Sequence, residues 1–562
     1  MSKIMNRTTC LIMSVLLLAS LCTAAAEKII YVDDDATGAN HGSSWENAYC
    51  CLQKALTYAE SGDEIRVAQG IYKPDQFLIG RSAQIVGSGD RTATFQLING
   101  VTLKGGYAGL DEPNPDARDI ELYETILSGD LNGDDIKDED VEVDHPGDLL
   151  DEPTRSENSY NVVTGSGTDD SAVLDGFTIT SGNTDRPPYG GLPTPTGPDD
   201  DRWRFTSGAG MFNIFGSPIV ANCKFTGNSA VGGGGMFNYD CSLILNNCIF
   251  DKNYSSLGGG GMLNLHSSLI LTKCTFSENW ARDGGGICNG WPSTLNLTDC
   301  TFIRNSAVLN GGGIDGGTAT LTDCVFIANE ADQGGGMSSG HSILTNCTFI
   351  ANKAIYWGGG MCSWWDDTVS HCTFSGNSGE ISGGAIFIFW SDLVLTNCTL
   401  TGNSAPNGNA LATNEFHSGG YNIELMNCIV WGSGNEIWND VGSPITISYS
   451  DIQGGQASIY DPCGVVVWGQ GNIDADPLFA DPGYWSDVND PNNTLWIDGD
   501  YHLKSTSGRW NPVSESWVID DITSPCIDAG DPLTLVMYEP HPRGCFINMG
   551  VYGGTVEASK SP

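Results

Sequence analysis

Three charged residues recur at a spacing that could bring them together for catalysis. Lys273, Asp299 and Asp323 each stand directly before a cysteine, 26 and 24 residues apart. If each step is one turn of a coiled chain, stacking would place the two carboxylates roughly 5 Å apart. Such a pair could hold Ca²⁺, while the amine removes a proton beside a uronate carboxylate, which is lyase chemistry. The alternative is structural, because Asp suits tight corners and Lys would offset the repulsion between carboxylates.

A row of ring-bearing side chains could bind a sugar rather than transform it. These residues recur four places after the apolar residue that closes each run of glycines, and one more tryptophan stands beside the row. Planar rings can stack on the flat faces of a repetitive glycan, although they can also fold back over hydrophobic neighbours. The predicted ligand-binding residues are His266, Trp291, His341, Trp364, Trp365 and Trp390.

An acidic segment, DLNGDDIKDED, has the spacing of a calcium-binding loop. Asp130, Asn132, Asp134 and Asp138 occupy its first, third, fifth and ninth positions. Oxygen ligands at this spacing suit Ca²⁺, but the glycine is displaced to position 133 and a valine stands where a bidentate glutamate is expected. The segment therefore predicts either a calcium site or a solvated acidic loop.

The cysteines follow a regular spacing that argues against disulfides. Nine of the 19 cysteines recur every 23 to 30 residues, and stacking would leave their side chains parallel rather than facing one another. We expect buried thiols that act as small hydrophobic residues. Cys526 and Cys545 lie outside this column and could form a disulfide or remain free.

The same cysteines mark an internal repeat. Most are followed by Phe at the second place, Asn at the fifth, and then by glycines and a Met, Ile or Leu, as in the stretch 274–287. A period in the twenties indicates a solenoid. Alternating Leu-x-Leu and Cys-x-Phe patterns predict about three short strands per coil, with the residue before each cysteine at a left-handed corner. We also expect the Asn side chains to stack as an amide ladder.

Phe-x-x-Asn followed by Gly-Gly-apolar resembles the repeats of chlamydial-type polymorphic outer membrane proteins. More widely, the chain resembles the pectate-lyase-like superfamily of secreted proteins. The resemblance covers about residues 175–430 and implies a right-handed parallel β-helix, an all-β solenoid with about 25 residues per coil. The hydrolase members of that superfamily are not matched, because the motif order differs and no Arg-x-Lys motif follows.

The flanks divide the chain into five segments. Residues 1–26 have a basic start, an apolar core and Ala24-Ala25-Ala26, which predicts a signal peptide cleaved after Ala26. Residues 27–110 should form an N-terminal cap with a short helix, for which Ser43 and Glu46 offer a capping box, and the first coils. The other segments are 111–206, coils with acidic and proline-rich insertions; 207–430, regular repeats; and 431–562, final coils and a C-terminal cap expected to close the far end.

Charge and hydropathy restrict the partners. The formal net charge of −43 would repel phosphate backbones, so nucleic acid is excluded as a partner. No stretch after the signal is long and apolar enough to cross a membrane. The sequence therefore predicts a protein that is secreted, or held at the cell surface.

Taken together, these patterns favour a binding scaffold over an enzyme. The first hypothesis is a non-catalytic exported β-helix that contacts polysaccharide or a cell-surface glycan through its loop aromatics. The second is a Ca²⁺-dependent lyase acting on an acidic glycan through Lys273, Asp299 and Asp323. The third is a passive structural rod. The fold alone does not choose among them, because one fold hosts many functions.

Overall fold

The computed structural model describes residues 28–79, 84–110, 112–136, 152–185, 197, 203–413, 421–432, 434–440, 442–486, 495–536 and 538–562. The predicted signal peptide and its cleavage point lie outside the described residues. So do Asp138 and most of the proline-rich insertion.

The described chain winds as a stack of coils whose strands pair in parallel with the coils before and after. Within the described residues, four parallel sheets hold 15, 13, 7 and 12 strands. They are called sheets A, B, C and D in the order in which a coil passes through them. The protein is therefore a parallel β-helix, as predicted.

Sheet A contains the Leu-x-Leu segments that precede the cysteines. Its strands are Ile29–Val32, Glu64–Ala68, Thr102–Tyr107, Val173–Asp175, Ile219–Ala221, Ser242–Asn246, Ser268–Thr272, Thr294–Thr298, Thr318–Thr322, Ile343–Thr345, Asp367–Ser370, Leu393–Thr396, Ile423–Met426, Ile445–Ser448 and Val467–Trp468.

Sheet B contains the phenylalanine of each Cys-x-Phe motif. Its strands are Gly70–Tyr72, Thr125–Ser128, Thr178–Thr180, Lys224–Thr226, Ile249–Asp251, Thr275–Ser277, Thr301–Ile303, Val325–Ile327, Thr348–Ile350, Thr373–Ser375, Thr399–Thr401, Ile429–Trp431 and Asp451–Ile452.

Sheet C is formed by a strand in each central coil that the sequence did not predict. These coils therefore have four strands rather than three. The segment between the ladder Asn and the glycines is long enough there to pair with its neighbours, with bulges. Its strands are Ser229–Ala230, Tyr254–Gly258, Trp280–Asp283, Ser306–Asn310, Glu330–Gln333, Lys353–Trp357 and Ser378–Gly379.

Sheet D begins where each glycine run ends. Its strands are Phe95–Gln96, Val163–Thr164, Met211–Ile214, Met236–Tyr239, Met262–Leu265, Ile287–Gly290, Ile314–Asp315, Met337–Ser339, Met361–Ser363, Ile386–Ile388, Leu411–Thr413 and Ile437–Trp438.

The repeated residues have the structural roles that the sequence predicted. Rings of successive phenylalanines from Phe225 to Phe374 stack inside the helix with centroids 4.5–4.9 Å apart. Successive asparagines from Asn228 to Asn403 form a buried ladder in which each Nδ2 donates to the next Oδ1 at 2.9–3.0 Å. Residues before the cysteines have φ of 51–57°, which confirms the left-handed corner.

The glycine runs are required by close backbone approach. Gly284 has φ +62°, and a Cβ on Gly312 would lie 2.4 Å from the carbonyl oxygen of Gly335 in the next coil. Only glycine allows both the turn and this contact.

A short helix, Leu52–Tyr58, covers the first coil. It buries Leu52, Ala55 and Leu56 in the main core, as expected for an N-terminal cap. The predicted capping box is wrong: Ser43 and Glu46 precede the helix by several residues, and its N-cap, Cys51, makes no side-chain capping bond.

The predicted C-terminal segment, residues 431–562, consists of final coils at the far end of the core and a longer part that folds back along the helix. Ile459, Val466 and Trp468 of the last coil pack against the end of the main core. Beyond them, the chain folds back beside the outer face of sheet B, where Ser375 Oγ donates to Asp498 and the Val551 N–H donates to Thr399 Oγ1. Phe479, Tyr501 and neighbours build a second core there on Ile429.

The remaining described elements are four antiparallel strand pairs and two 3₁₀ turns. The strand pairs are Gln76–Ile79 with Gln84–Gly87, Phe479–Asp481 with Asp500–Leu503, Tyr484–Trp485 with Trp496–Ile497, and Arg509–Asn511 with Ser516–Val518; the turns are Pro153–Arg155 and Gly455–Ser458.

Candidate functional site

A groove runs along the outside of sheet D, parallel to the helix axis. Its floor is one residue from each coil, because strand register aligns the residue after each inward Met, Ile or Leu. From one end to the other the floor residues are Phe212, Phe237, Leu263, Cys288, Asp315, Ser338, Cys362, Phe387, Ala412 and Trp438.

Aromatic side chains fill both ends of this groove. At one end the ring of Trp203 stacks on Phe237, with centroids 5.4 Å apart. At the other end Trp357 stacks on Phe387 at 5.6 Å, and Trp364 stacks on Phe389 at 3.9 Å. These clusters are hydrophobic, and their side chains pack on one another.

The middle of the groove is open because its floor residues are small or polar. Between the aromatic ends lies a cleft of ≈ 630 Å³, with Asp315 and Ser338 on its floor and Asn310 on the side of sheet C. Gly316 and Gly317, both at positive φ, bring no side chains into it. The volume is that of a small-ligand site.

Aromatic residues of the predicted row line the rim. Trp291 is 82% exposed and Trp365 is 54% exposed. The His341 ring stacks on Trp365 with centroids 5.7 Å apart. Trp291 and Trp365 belong to coils three steps apart, so about 14 Å of groove separates their positions. The cleft therefore offers two separated ring surfaces above a polar floor.

Asp315 is the acidic group at the centre of the floor. The Cys288 thiol points towards its carboxylate, with Sγ 3.8 Å from Oδ2. Burial, reinforced by the nearby charge of Asp283, raises the pKa of Asp315 to about 7, although the hydroxyl of Ser338 acts in the opposite direction. Asp283 itself accepts hydrogen bonds from Asn310 and Arg282.

A second buried carboxyl, Asp367, supports the rim from behind. It accepts hydrogen bonds from the hydroxyls of Ser339 and Ser363 and from the N–H of Ser342. These bonds connect the chain beside His341 to the chain beside Trp365. Burial raises the pKa of Asp367 to about 6.

The structure brings four of the six predicted aromatic residues to the described cleft and separates the others. Trp291, His341, Trp364 and Trp365 line it. His266 packs against Tyr239, nearer the end of the groove covered by Trp203. Trp390 contacts Trp364 and Phe389 in the opposite aromatic cluster.

Sequence reasoning missed the polar floor. Cys288, Asp315 and Ser338 occupy a position that changes from coil to coil, so the repeat gave no reason to select them. The signal was an acidic residue, Asp315, at a position that is apolar or aromatic in most other coils. This position can be aligned between coils only when the strand register is known.

The predicted catalytic residues lie elsewhere on the coil. Lys273, Asp299 and Asp323 occupy the corner between sheets A and B, with φ of 54°, 57° and 55°, and their side chains are exposed. Asp323 accepts a hydrogen bond from Asn346 in the next coil. None of the three lines the cleft described above, and their geometry matches the corner role.

One acidic residue from outside the motif, Glu157, lies beside the predicted calcium loop. Asp130 and Asp134 lie with Glu157, their carboxylate oxygens within 4.8 Å of one another. The backbone N–H of Asn132 donates to Glu157 at 3.3 Å. The backbone N–H groups of residues 133–135 donate to Asp130, so the loop already uses this carboxylate to hold its own turn. Asp138 lies outside the described residues.

The structure keeps Cys526 and Cys545 apart. Cys526 is buried, and its thiol donates to Asp451 at 3.0 Å, whereas Cys545 is exposed; both are free. The possible disulfide between them is therefore absent. The cysteines of the column are also free and buried, as expected.

Comparison with known families agrees with this geometry. A family model described as the right handed beta helix region matches residues 207–368, and the Chlamydia polymorphic membrane protein repeat matches residues 371–388. The chain is a right-handed β-helix protein with polymorphic-membrane-protein-type repeats. A further model, described as disaggregatase related, matches residues 465–530 of this β-helix protein.

The chain was also compared with individual proteins. No curated protein matches the chain. Among solved structures, the crystal structure of pectate lyase Pel9A is similar to this β-helix protein at 11% identity, over 94% of this chain and 96% of that one, with a TM-score of 0.35. In the described residues, no helix has the length and apolarity needed to span a membrane.

Proposed function

We propose that this protein is an exported, surface-associated β-helix scaffold that binds polysaccharide in the cleft above Asp315. One observation carries the proposal: Trp291, 82% exposed, and Trp365 stand on the rim of the open part of an otherwise filled groove. Exposed aromatic side chains beside a concave site favour ligand contact, and their flat faces match sugar rings. The match to a membrane-protein repeat family supports a place at the cell surface.

The groove also suits a polymer better than a compact ligand. It is open to solvent along the rim, and the exposed Trp291 and Trp365 lie about 14 Å apart along the helix axis. A chain of several sugar units can contact both rings at once. The proposed role is binding, with no catalytic step.

Binding is tested with the mature protein and a panel of neutral, acidic and amine-bearing polysaccharides, measured by retention on each polymer. We expect Trp291→Ala and Trp365→Ala each to weaken binding by about 5- to 10-fold, the loss of one ring contact. Tyr484→Ala is the matched control, because Tyr484 is 59% exposed but lies outside the cleft. Unchanged binding in both tryptophan variants, or retention on no polymer, would refute the proposal.

The same incubations distinguish binding from lyase activity. Absorbance of unsaturated product and new reducing ends are followed with and without Ca²⁺. Product that forms in the wild type and disappears in Asp299→Ala and Asp323→Ala would replace the binding proposal with the lyase hypothesis.

A further inference from the structure

The charge of the cleft restricts which glycan it accepts. Among the residues that line it, Asp315 is the one acidic side chain, and no Lys or Arg is among them. Asp283 adds negative charge behind the wall, and the nearest Arg, Arg282, is bonded to Asp283. A uronate or sulfated sugar would meet repulsion here, with no cation to receive its charge.

We propose that the cleft binds an amine-bearing glycan, such as a β-linked glucosamine chain, and that Asp315 is the counter-ion for the sugar ammonium group. This inference rests on the proposed function and specifies its ligand. Buried charges are normally paired, and no Lys or Arg is among the residues lining the cleft to pair with the Asp315 carboxylate. A ligand ammonium group at the floor would supply one.

The surroundings of Asp315 agree with this role. The Cys288 thiol from the preceding coil and the Ser338 hydroxyl from the following coil each contact the carboxylate, and a carboxylate can accept further hydrogen bonds from a ligand in the cleft that it lines. Burial and the negative charge of Asp283 favour its protonated form when the cleft is empty, whereas the Cys288 thiol and the Ser338 hydroxyl favour the ionised form; His341 is also titratable and lines the cleft. A bound ammonium group favours the ionised form, so binding at a pH where the sugar amine is already protonated should release the proton of Asp315.

The experiment compares two ligands that differ only at the amine. A β-linked glucosamine tetramer and its fully N-acetylated counterpart are titrated by calorimetry at physiological salt, where the overall negative charge of the protein is screened. We expect the amine form to bind at least roughly tenfold more tightly, the effect of one charge-assisted hydrogen bond. Titration in two buffers of different ionisation enthalpy should show proton release.

Matched variants distinguish the effect of Asp315 from that of the overall negative charge of the protein. Asp315→Asn should remove the preference for the amine, and Asp299→Asn, the same charge change at an exposed corner, should retain it. Asp315→Ser provides a second variant, because serine occupies the equivalent position in the next coil, at Ser338. Circular dichroism confirms folding of each variant.

The outcomes are distinct for the two proposals. Equal binding of both tetramers, weakened by Trp291→Ala, would overturn the amine inference and leave the binding proposal standing. A preference that survives in both Asp315 variants, or that is lost equally in Asp299→Asn, would also overturn the inference. Binding of neither tetramer and of no polymer would overturn both proposals.

Discussion

At the scale of single residues, Asp367 shows how one buried carboxyl can organise a binding surface that it does not touch directly. Its three hydrogen bonds join Ser339, Ser342 and Ser363, which flank the rings of His341 and Trp365. The two rim segments are thereby held in one arrangement before any ligand arrives.

We expect Asp367→Ala to lower the free energy of unfolding by about 3 kcal/mol, because it leaves buried hydroxyl and N–H groups without an acceptor. Urea denaturation measures this change. Asp366→Ala is the control, since Asp366 is the adjacent acid but is exposed, and it should cost less than about 1 kcal/mol. Equal losses in the two variants would contradict the bridging role.

Sequence reasoning succeeded for residues that repeat and failed for residues that depart from the repeat. The corner position before each cysteine was predicted because Asn and Asp tolerate positive φ wherever they occur. Asp315 could not be found in this way, because its importance depends on what lies beside it in the neighbouring coils. Trp291 and His266 follow the same sequence rule, yet only the structure shows that one lines the cleft and the other packs on Tyr239.

At the scale of elements, the asparagine ladder is the strongest polar link between coils. Asn305 donates to the carbonyl of Phe276 and to Asn329, and it accepts from both the N–H and the side chain of Asn279. All of these groups are buried, so each of them depends on its protein partner for its hydrogen bond.

Asn305→Ala should therefore lower the free energy of unfolding by about 3–5 kcal/mol, since several buried groups lose their partners together. Asn296→Ala in the same coil is the control: Asn296 faces solvent from sheet A, and its loss should change stability by no more than about 0.5 kcal/mol. Chemical denaturation followed by circular dichroism gives both values. A ladder variant as stable as the control would show that packing, rather than the amides, joins the coils.

Sheet C shows the limit of pattern recognition for elements. The segment Trp280–Asp283 has no clear alternation of its own, and its strand character depends on pairing with equivalent segments in adjacent coils. Tertiary context of this kind overrides local preference. The part of the C-terminal segment that folds back beside sheet B was not predicted for the same reason, because its contacts with that sheet connect residues more than 120 positions apart.

At the scale of the whole molecule, the column of cysteines makes most thiols inaccessible. Burial raises the pKa of Cys223 and Cys398, and their neighbours in the column are likewise enclosed. Among the cysteines of the described residues, Cys463 and Cys545 are the exposed ones.

The folded protein, without its first 26 residues, should thus react rapidly with a thiol reagent at two positions, Cys463 and Cys545. Reactivity needs both access and thiolate, and burial denies a reagent access to the column. Mass spectrometry after a short labelling pulse identifies the sites, and a denatured sample gives the total. Rapid native labelling of Cys274, Cys300 or Cys324 would contradict the buried column.

The coils that form the cleft should not tolerate the insertion or deletion of a whole coil. Elsewhere, insertion or deletion of a whole coil leaves every remaining coil with the same kind of neighbour, so length can vary by one repeat without redesign. The cleft takes its walls from the consecutive coils between Trp280 and Asp367. Removing one coil there would bring Trp291 and Trp365 about 5 Å closer and could delete Asp315 altogether. Variants of the protein with more or fewer coils should therefore gain or lose them outside this stretch. The number and register of the coils within it should stay the same.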